Sequence, residues 1–421
     1  MPEPIPPITA VAHTPGGVAL VLCPLPGDAA PAEFAFGLQR LRECFGADAR
    51  FIDPGPGHGD PAAEDGRGVA PLLAGLPDSA RVAWLPDAQR MVMPVVLERL
   101  ARVLDADASI TAALAHDQRF APQPPPDYCT ERGLERYLAR LGDETPAIAA
   151  YTGQAAPGLT LTTAGALRHG TVWSRACWVA NACIHDFADY QQAKRDEVIA
   201  LVPPQAQRIL DVGGGEGRFL ERLRQVRAPE QLIETHLAEE SPAACAAARE
   251  RVNRVWPGDF GTVPIAGPFD CICFLEALEH TSDPLRWLLR ARSLLAPGGA
   301  VVASVPNVGH WSVIADLLEG RWDWSPVGVH CITHLRFFTE HSLRALFARA
   351  GLQVARIDAL RIPCPPALAS AWTSAAAAGA WPRLSPDPAS WDAYAFLVQA
   401  FAPAELPPAQ GKGGDPTRAG A

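Results

Sequence analysis

The stretch RILDVGGGEGRFLERL, Arg208 to Leu223, constrains this chain more than any other. RILDV is an apolar run that reads as a buried strand, and RFLERLRQ puts Phe219, Leu220 and Leu223 on one face of a helix. Gly213 to Gly217 therefore make a strand-to-helix turn, the place where open α/β sheets bind ligands. Glycines there permit unusual dihedrals and let a ligand approach the backbone. A phosphate-cradling P-loop is excluded, because neither its lysine nor its following hydroxyl is present. A dinucleotide turn needs a third glycine where this chain has Arg218. Asp211 and Glu216 would oppose a pyrophosphate but suit a ligand that carries positive charge.

S-adenosylmethionine is such a ligand, with a sulfonium, an ammonium and no phosphate. LDVGGGEG resembles the first motif of the class I S-adenosylmethionine-dependent methyltransferases. A plain βα turn would use the same glycines, so the segments that follow carry the weight. The strand QLIETHL runs into AEESPAACAAARER. In the family an acid at that strand end bonds both ribose hydroxyls, a task that needs an acceptor of two hydrogen bonds. The resemblance assigns that task to Glu239, with Glu240 as the alternative; both also suit the positive end of the next helix. In VWPGDF, Asp259 matches the family's contact to the adenine amino group. FDCICFL is a further buried strand, DPLRWLLRARSLL a helix capped by Asp283 with Pro284 at its first position, and AVVASVPN the next strand. This order resembles the ubiquinone-biosynthesis O-methyltransferases. LEH, SVPN and HLRFFT (His334 to Thr339) resemble methyltransferases found with bacterial polysaccharide genes. The resemblance spans residues 190–401. It implies a Rossmann-like seven-stranded sheet closed by AYAFLVQAF, Ala393 to Phe401, antiparallel beside LQVARIDALRI. An Ala- and Pro-rich insert, Pro363 to Asp392, would form a short helix and loop between them.

The resemblance implies cofactor contacts from Asp211, Gly213, Gly215, Gly217, Glu239, Asp259 and Glu276. Methyl transfer from a sulfonium is an in-line displacement, so the protein must position a nucleophile and, for a hydroxyl, take its proton. Histidine is the first residue type to seek. His280, in EALEH just past the fourth strand, is the first candidate base, and His310, on the loop after SVPN, is the second. Glu276, Glu279 and His280 have the i, i+3, i+4 spacing of one helical face. Some ubiquinone-pathway relatives use a divalent metal near this motif, but the expectation here is that Glu279 and His280 organise the loop without one. His330, Cys331 and His334 crowd too many ligands into five residues for a zinc site, so His334 and Arg336 are expected to contact acceptor or bracket the loop. Trp311, Trp322 and Trp324 would stack on a sugar or pack a lid helix. DYQQAKRDEVIALV resembles the cap helix before the first strand, with Tyr190 and Gln191 near the methionine end of the cofactor.

Residues 1–120 read as a separate, smaller α/β domain. GVALVLCPLP, DARFIDPGP, ARVAWLP and SITAALA alternate with helical patterns. The order resembles family 2 glycosyltransferases, in which paired acids after the third strand hold a metal. Here Asp87 stands alone, with Pro86, Ala88 and Gln89 around it, so the resemblance is to a degenerate, GT-A-like domain without transfer activity. Asp53, at the end of the second strand, would face a base such as uracil. An unrelated α/β accessory domain is the alternative. Residues 121–189 read as a linker with the helix YCTERGLERYLARLGD, and residues 402–421, rich in Pro and Gly, as a disordered tail.

A chain of 421 residues accommodates two domains. A net charge of −10 with no basic stripe argues against nucleic acid. MPEPIPPITAV lacks the pattern of a signal peptide and no apolar run spans a bilayer. Ten cysteines without C-x-x-C fit a reduced cytoplasmic protein. The expected activity is O-methylation of a sugar or glycan precursor, with glycosyltransferases as partners. The alternatives are a small aromatic or quinone acceptor, and a non-catalytic scaffold in glycan assembly.

Overall fold

The computed structural model describes residues 15–25, 32–54, 67–117, 130–142, 147–153, 157–187, 193–227, 232–378 and 391–403. The chain divides into two compact units, residues 1–191 with 308–334 and 361–394, and residues 192–307 with 335–360 and 395–421. No helix among the described residues is long and apolar enough to cross a membrane.

The first unit is built on β1 (Val18–Leu22), α1 (Ala32–Phe45), β2 (Arg50–Ile52), β3 (Arg81–Trp84), β4 (Arg90–Met91), α2 (Pro94–Ala106), β5 (Ala112–Asp117), α3 (Glu131–Arg140), β6 (Ile148–Ala150), β7 (Leu159–Thr163), α4 (Ala164–Arg168) and β8 (Ala176–Asp186). Its sheet has eight strands, in the order β2-β1-β3-β7-β5-β8-β4 with β6 alongside β8. β1 runs parallel to β2 and β3, and β5 parallel to β8, while β7 is antiparallel to both β3 and β5. Strand periodicity sends Leu20 and Leu22 to one core and Val21 and Cys23 to the other, so the sheet is buried on both faces.

This differs from the sequence reading in two ways. The unit is not the smaller one, and residues 121–189 are not a linker, since they supply β6, β7 and β8. LTLTT hid its role because its threonines are buried: Thr160 and Thr162 are fully covered, and the Thr162 hydroxyl donates to Thr111 O at 2.7 Å. β8 hid its role because ACWVANACIHD is buried along most of its length and shows no clean alternation. The helix expected from YCTERGLERYLARLGD is α3, capped by the Thr130 hydroxyl, which accepts from Gly133 N.

The second unit follows the expected order closely. β9 (Arg208–Val212), α5 (Arg218–Val226), β10 (Glu234–Glu239), α6 (Pro242–Ala248), β11 (Arg254–Pro257), β12 (Phe269–Leu275), α7 (Pro284–Leu294) and β13 (Leu295–Pro306) come first. After β13 the chain enters the first unit as α8 (Trp311–Leu318), returns as α9 (Glu340–Arg349) and β14 (Gln353–Arg361), leaves again through α10 (Pro366–Ala377) and comes back as β15 (Ala393–Phe401). The sheet is a seven-stranded Rossmann-like sheet of order β11-β10-β9-β12-β13-β15-β14, with β15 antiparallel to β13. Phe219, Leu220 and Leu223 are the buried face of α5, as the spacing predicts. Asp283 caps α7 by accepting from Arg286 N at 3.0 Å, and Pro284 opens the helix. In the region read as a cap helix, the described part is a short 3₁₀ turn, Asp196–Leu201; Tyr190 and Gln191 lie outside the described residues, as do residues 404–421 of the tail.

Candidate functional site

The parallel strands β9, β10 and β12 direct their carboxyl ends to one edge, where the glycine turn sits. Gly213, Gly215 and Gly217 adopt φ of 71°, 56° and 75°, the left-handed region that favours glycine. Gly214 is needed for a different reason: a Cβ there would lie 2.1 Å from Asp211 Oδ2 and 2.8 Å from Leu237 Cδ1. The turn is tied to the end of β10 by Gly213 N donating to Ala238 O at 2.8 Å.

Glu239, the last residue of β10, holds the same turn from the side. Its Oε2 accepts from Gly215 N at 3.0 Å and its Oε1 from Ser241 N at 2.8 Å. Burial pushes its pKa up, and these backbone N–H groups oppose the shift. Each oxygen keeps a further lone pair with which to accept from a ligand diol.

Asp211 is fully buried; the Val212 backbone leans toward its carboxylate, but neither oxygen has full hydrogen-bond geometry to a described group. Burial pushes its pKa up to about 7, with Arg195 pulling it down and Glu239 adding to the rise. Arg195 only partly offsets the burial, so a further cation placed here would hold the carboxylate ionised. A cradle of glycines over a buried carboxylate that its neighbours only partly stabilise fits the ammonium of S-adenosylmethionine and does not fit a phosphate.

The EALEH segment departs from expectation. It is a turn and not a helix, so the one-face argument for Glu276, Glu279 and His280 does not apply. Glu276 has φ 54°, which a non-glycine residue holds only at a cost of about 1–3 kcal/mol. Ser304 at the end of β13 fixes it: Glu276 N donates to Ser304 O and Oγ, each at 3.1 Å, and Ser304 Oγ donates to Glu276 Oε1 at 2.8 Å. Glu279 is fully buried, and burial followed by the Glu276 charge raises its pKa well above the carboxylate range, with a hydrogen bond between the two carboxyl groups adding to the rise. Its backbone carbonyl accepts from Leu335 N and Arg336 N at 2.8 and 3.0 Å, which pins the HLRFFT segment to this corner. His280 is partly exposed beside it.

His310 belongs to the first unit and is fully buried. Its Nδ1 lies 2.9 Å from Ser312 Oγ and its Nε2 3.2 Å from Ile362 O, and it caps α8 by accepting from Ser312 N. Burial lowers its pKa to about 4. Both nitrogens are engaged in holding the loop, which sets His310 apart from a general base. His334 brackets its loop through Nδ1, 3.0 Å from Val329 O, and Arg336 donates to Ser282 O. Asp259, after β11, folds back to accept from Gly261 N at 2.7 Å and remains partly exposed.

Sequence reasoning missed three residues. Ser304 hides inside an apolar strand, and Gly214 is one glycine among four. Arg195 sits in a polar run before β9, yet it has φ 51° and its charge reaches both Asp211 and Glu279.

A family of methyltransferase domains matches residues 186–357. A ubiquinone biosynthesis O-methyltransferase of Cereibacter sphaeroides is 29% identical over 185 residues, covering 41% of this chain and 71% of that enzyme. A dTDP-4-amino-2,3,4,6-tetradeoxy-D-glucose N,N-dimethyltransferase of Saccharopolyspora spinosa is 34% identical over 208 residues, covering 41% of this chain and 82% of that protein. The solved structure of a mitomycin 7-O-methyltransferase, 18% identical, covers 51% of this chain and 56% of its own with a TM-score of 0.32.

Proposed function

We propose that this chain, which belongs to the S-adenosylmethionine-dependent methyltransferases, methylates a hydroxyl of a sugar or glycan precursor. The observation that carries the cofactor half of this reading is the buried Asp211 carboxylate beneath the glycine turn, whose neighbours leave its pKa at about 7. The cofactor supplies an activated methyl group. The chain's own residues do the rest: Asp211 receives the ammonium, Glu239 accepts from the ribose diol, and Asp259 accepts from the adenine amino group. Glu276, locked by Ser304, shapes the edge against the cofactor. His280 takes the proton of the attacking hydroxyl, since His310 has both nitrogens engaged. Proximity contributes alongside the base.

A sugar acceptor is supported by the Saccharopolyspora relative, whose name describes a nucleotide-linked amino sugar. The second reading, a quinone or small aromatic acceptor, is supported by the Cereibacter relative. The first unit serves as an accessory domain that binds acceptor or docks a glycosyltransferase. Its lone Asp87 is already used, accepting from Gln89 N at 2.7 Å and pairing with Arg90 at 3.1 Å, which supports loss of metal-dependent transfer. The nine cysteines described are free and eight are buried, in keeping with a reduced, cytoplasmic setting.

Calorimetric titration of S-adenosylmethionine and S-adenosylhomocysteine into the full chain tests the reading. Micromolar binding is expected, weakened about 100-fold by Glu239→Ala through lost hydrogen bonds to a charged acceptor. A well-folded protein that binds neither compound is not an enzyme of this kind, and the scaffold reading then leads. Once a screen of sugars, nucleotide-sugars and quinones finds the acceptor, His280→Ala is expected to lower kcat about 100-fold with cofactor affinity unchanged. An unchanged kcat and pH profile removes His280 from the mechanism.

A further inference from the structure

We propose that residues Arg321 to His334 of the first unit form a binding platform for a neutral pyranose, with Trp322 and Trp324 receiving the sugar ring. The choice of ligand rests on the glycan reading above; the platform itself rests on this segment alone. The sequence groups Trp311 with the other two indoles, but the structure separates them. Trp311 is buried against Trp372, Trp391 and Ile362 and donates to Ile362 O at 2.9 Å. Trp322 and Trp324 remain partly exposed, with ring centroids 5.9 Å apart at 80°.

Two perpendicular indoles offer a face and an edge, which suits a puckered ring with C–H groups on one side. A flat aromatic ring can also use a face and an edge, which makes it the rival ligand. Between the indoles lies Asp323, which accepts from Arg321 Nε at 2.7 Å; Arg321 also pairs with Glu135 of α3 at 3.2 Å. A carboxylate and a guanidinium side by side can answer vicinal hydroxyls, each of which donates and accepts. Their charges cancel locally, so the platform has little to hold a phosphate.

The second, independent observation is His330. Its ring lies 4.3 Å from Trp322 and is 1% exposed. Burial lowers its pKa, opposed by the Asp323 charge and by the Asp323 backbone; a neutral imidazole offers one donor and one acceptor. One nitrogen leans on the Asp323 backbone short of full hydrogen-bond geometry, and the other has no partner among the described residues. Buried polar atoms are rarely left so, because each loses its water without compensation. A ligand hydroxyl reaching past the Trp322 edge would answer them. The loop is tied by its own hydrogen bonds: Ser325 N donates to His330 O and Ile332 N to Ser325 O, both at 3.0 Å, and Ser325 Oγ donates to Val327 O at 2.6 Å.

The test is saturation-transfer NMR on the full chain with methyl glycosides of glucose, galactose, mannose and N-acetylglucosamine, and catechol as the flat rival. Transfer to pyranose ring protons is expected for at least one glycoside. Its affinity should fall about tenfold in Trp324→Ala and in His330→Phe, the second of which keeps the stack and removes the nitrogens. Trp322→Phe, the milder change at the central ring, should weaken binding two- to fivefold. Calorimetry with S-adenosylmethionine on the same samples reports the fold and the other unit's site separately. No glycoside transfer while the cofactor still binds overturns the platform and leaves the methyltransferase reading standing. Catechol binding in preference to every glycoside, or affinity unmoved by Trp324→Ala and His330→Phe, overturns it as well. Glycoside binding without cofactor binding supports the platform and sinks only the enzyme reading.

Discussion

Asp211→Asn is expected to raise the Kd for S-adenosylmethionine about a thousandfold and, at pH 8, to make the cofactor-free protein more stable. The two effects have one cause. Asp211 is fully buried and its pKa stands at about 7, above the usual 3.8. The folded state therefore holds this proton more tightly than the unfolded chain does. The group's contribution to stability is complete below the unfolded pKa and is lost as pH rises through the folded one. Across that window the loss is on the order of 4 kcal/mol. Asparagine keeps the shape and removes the charge, so the penalty at pH 8 disappears. Cofactor binding runs the other way, because the ammonium needs the carboxylate. Affinity should hold above pH 8 and fall by up to tenfold per unit below pH 7, while the cofactor-free melting temperature gains from this group over the same descent. Calorimetry and thermal unfolding across pH 5.5–8.5 would read both. An asparagine variant that binds as the parent does, or a Kd flat across pH 7, removes Asp211 from the ammonium site.

Gly214→Ala should be the second most damaging change in this unit. The added methyl would meet Asp211 Oδ2 and Leu237 Cδ1 far inside contact distance, and both belong to strands in the sheet. Overpacking of this kind costs about 3 kcal/mol, and the displaced turn should no longer bind cofactor. The cost is steric and not conformational, since Gly214 is the one glycine of the turn outside the left-handed region. That distinction gives the prediction its teeth. In Asp211→Ala with Gly214→Ala the overlap with Oδ2 is gone, so urea unfolding should show the pair destabilised by clearly less than the sum of the single changes. Simple additivity, or a Gly214→Ala protein as stable as the parent, would falsify the steric account.

The second unit was largely legible because its central strands are announced by apolar runs and several of its turns by glycine, proline or a capping side chain. RILDV became β9, AYAFLVQAF became β15 with the same bounds, and Asp283 caps α7 as read. The losses came where a residue's environment is set by distant chain. Nothing in EALEH tells that Glu276 will sit at positive φ, because the reason is Ser304 on the neighbouring strand. Arg195 reads as one more surface cation until the fold brings two buried carboxylates within its field. His310 looked like a base by position alone; its role as a cap depends on Ile362, far along the chain. The first unit was partly legible, and its strands β7 and β8 were missed because their polar members are buried by pairing and not by pattern.

The route of the chain between the units has a practical result. It passes from one to the other after residues 191, 307, 334, 360 and 394. A gene cut at residue 191, the natural place to separate two domains, would leave the upstream product without α8 and its C-cap, which supply Asp316 and Glu319 as partners for Arg136. The downstream product would carry two orphaned excursions with their apolar surfaces bare. Splitting, transplanting or shuffling this protein at a single junction should therefore yield aggregates. The smallest transferable piece is the whole.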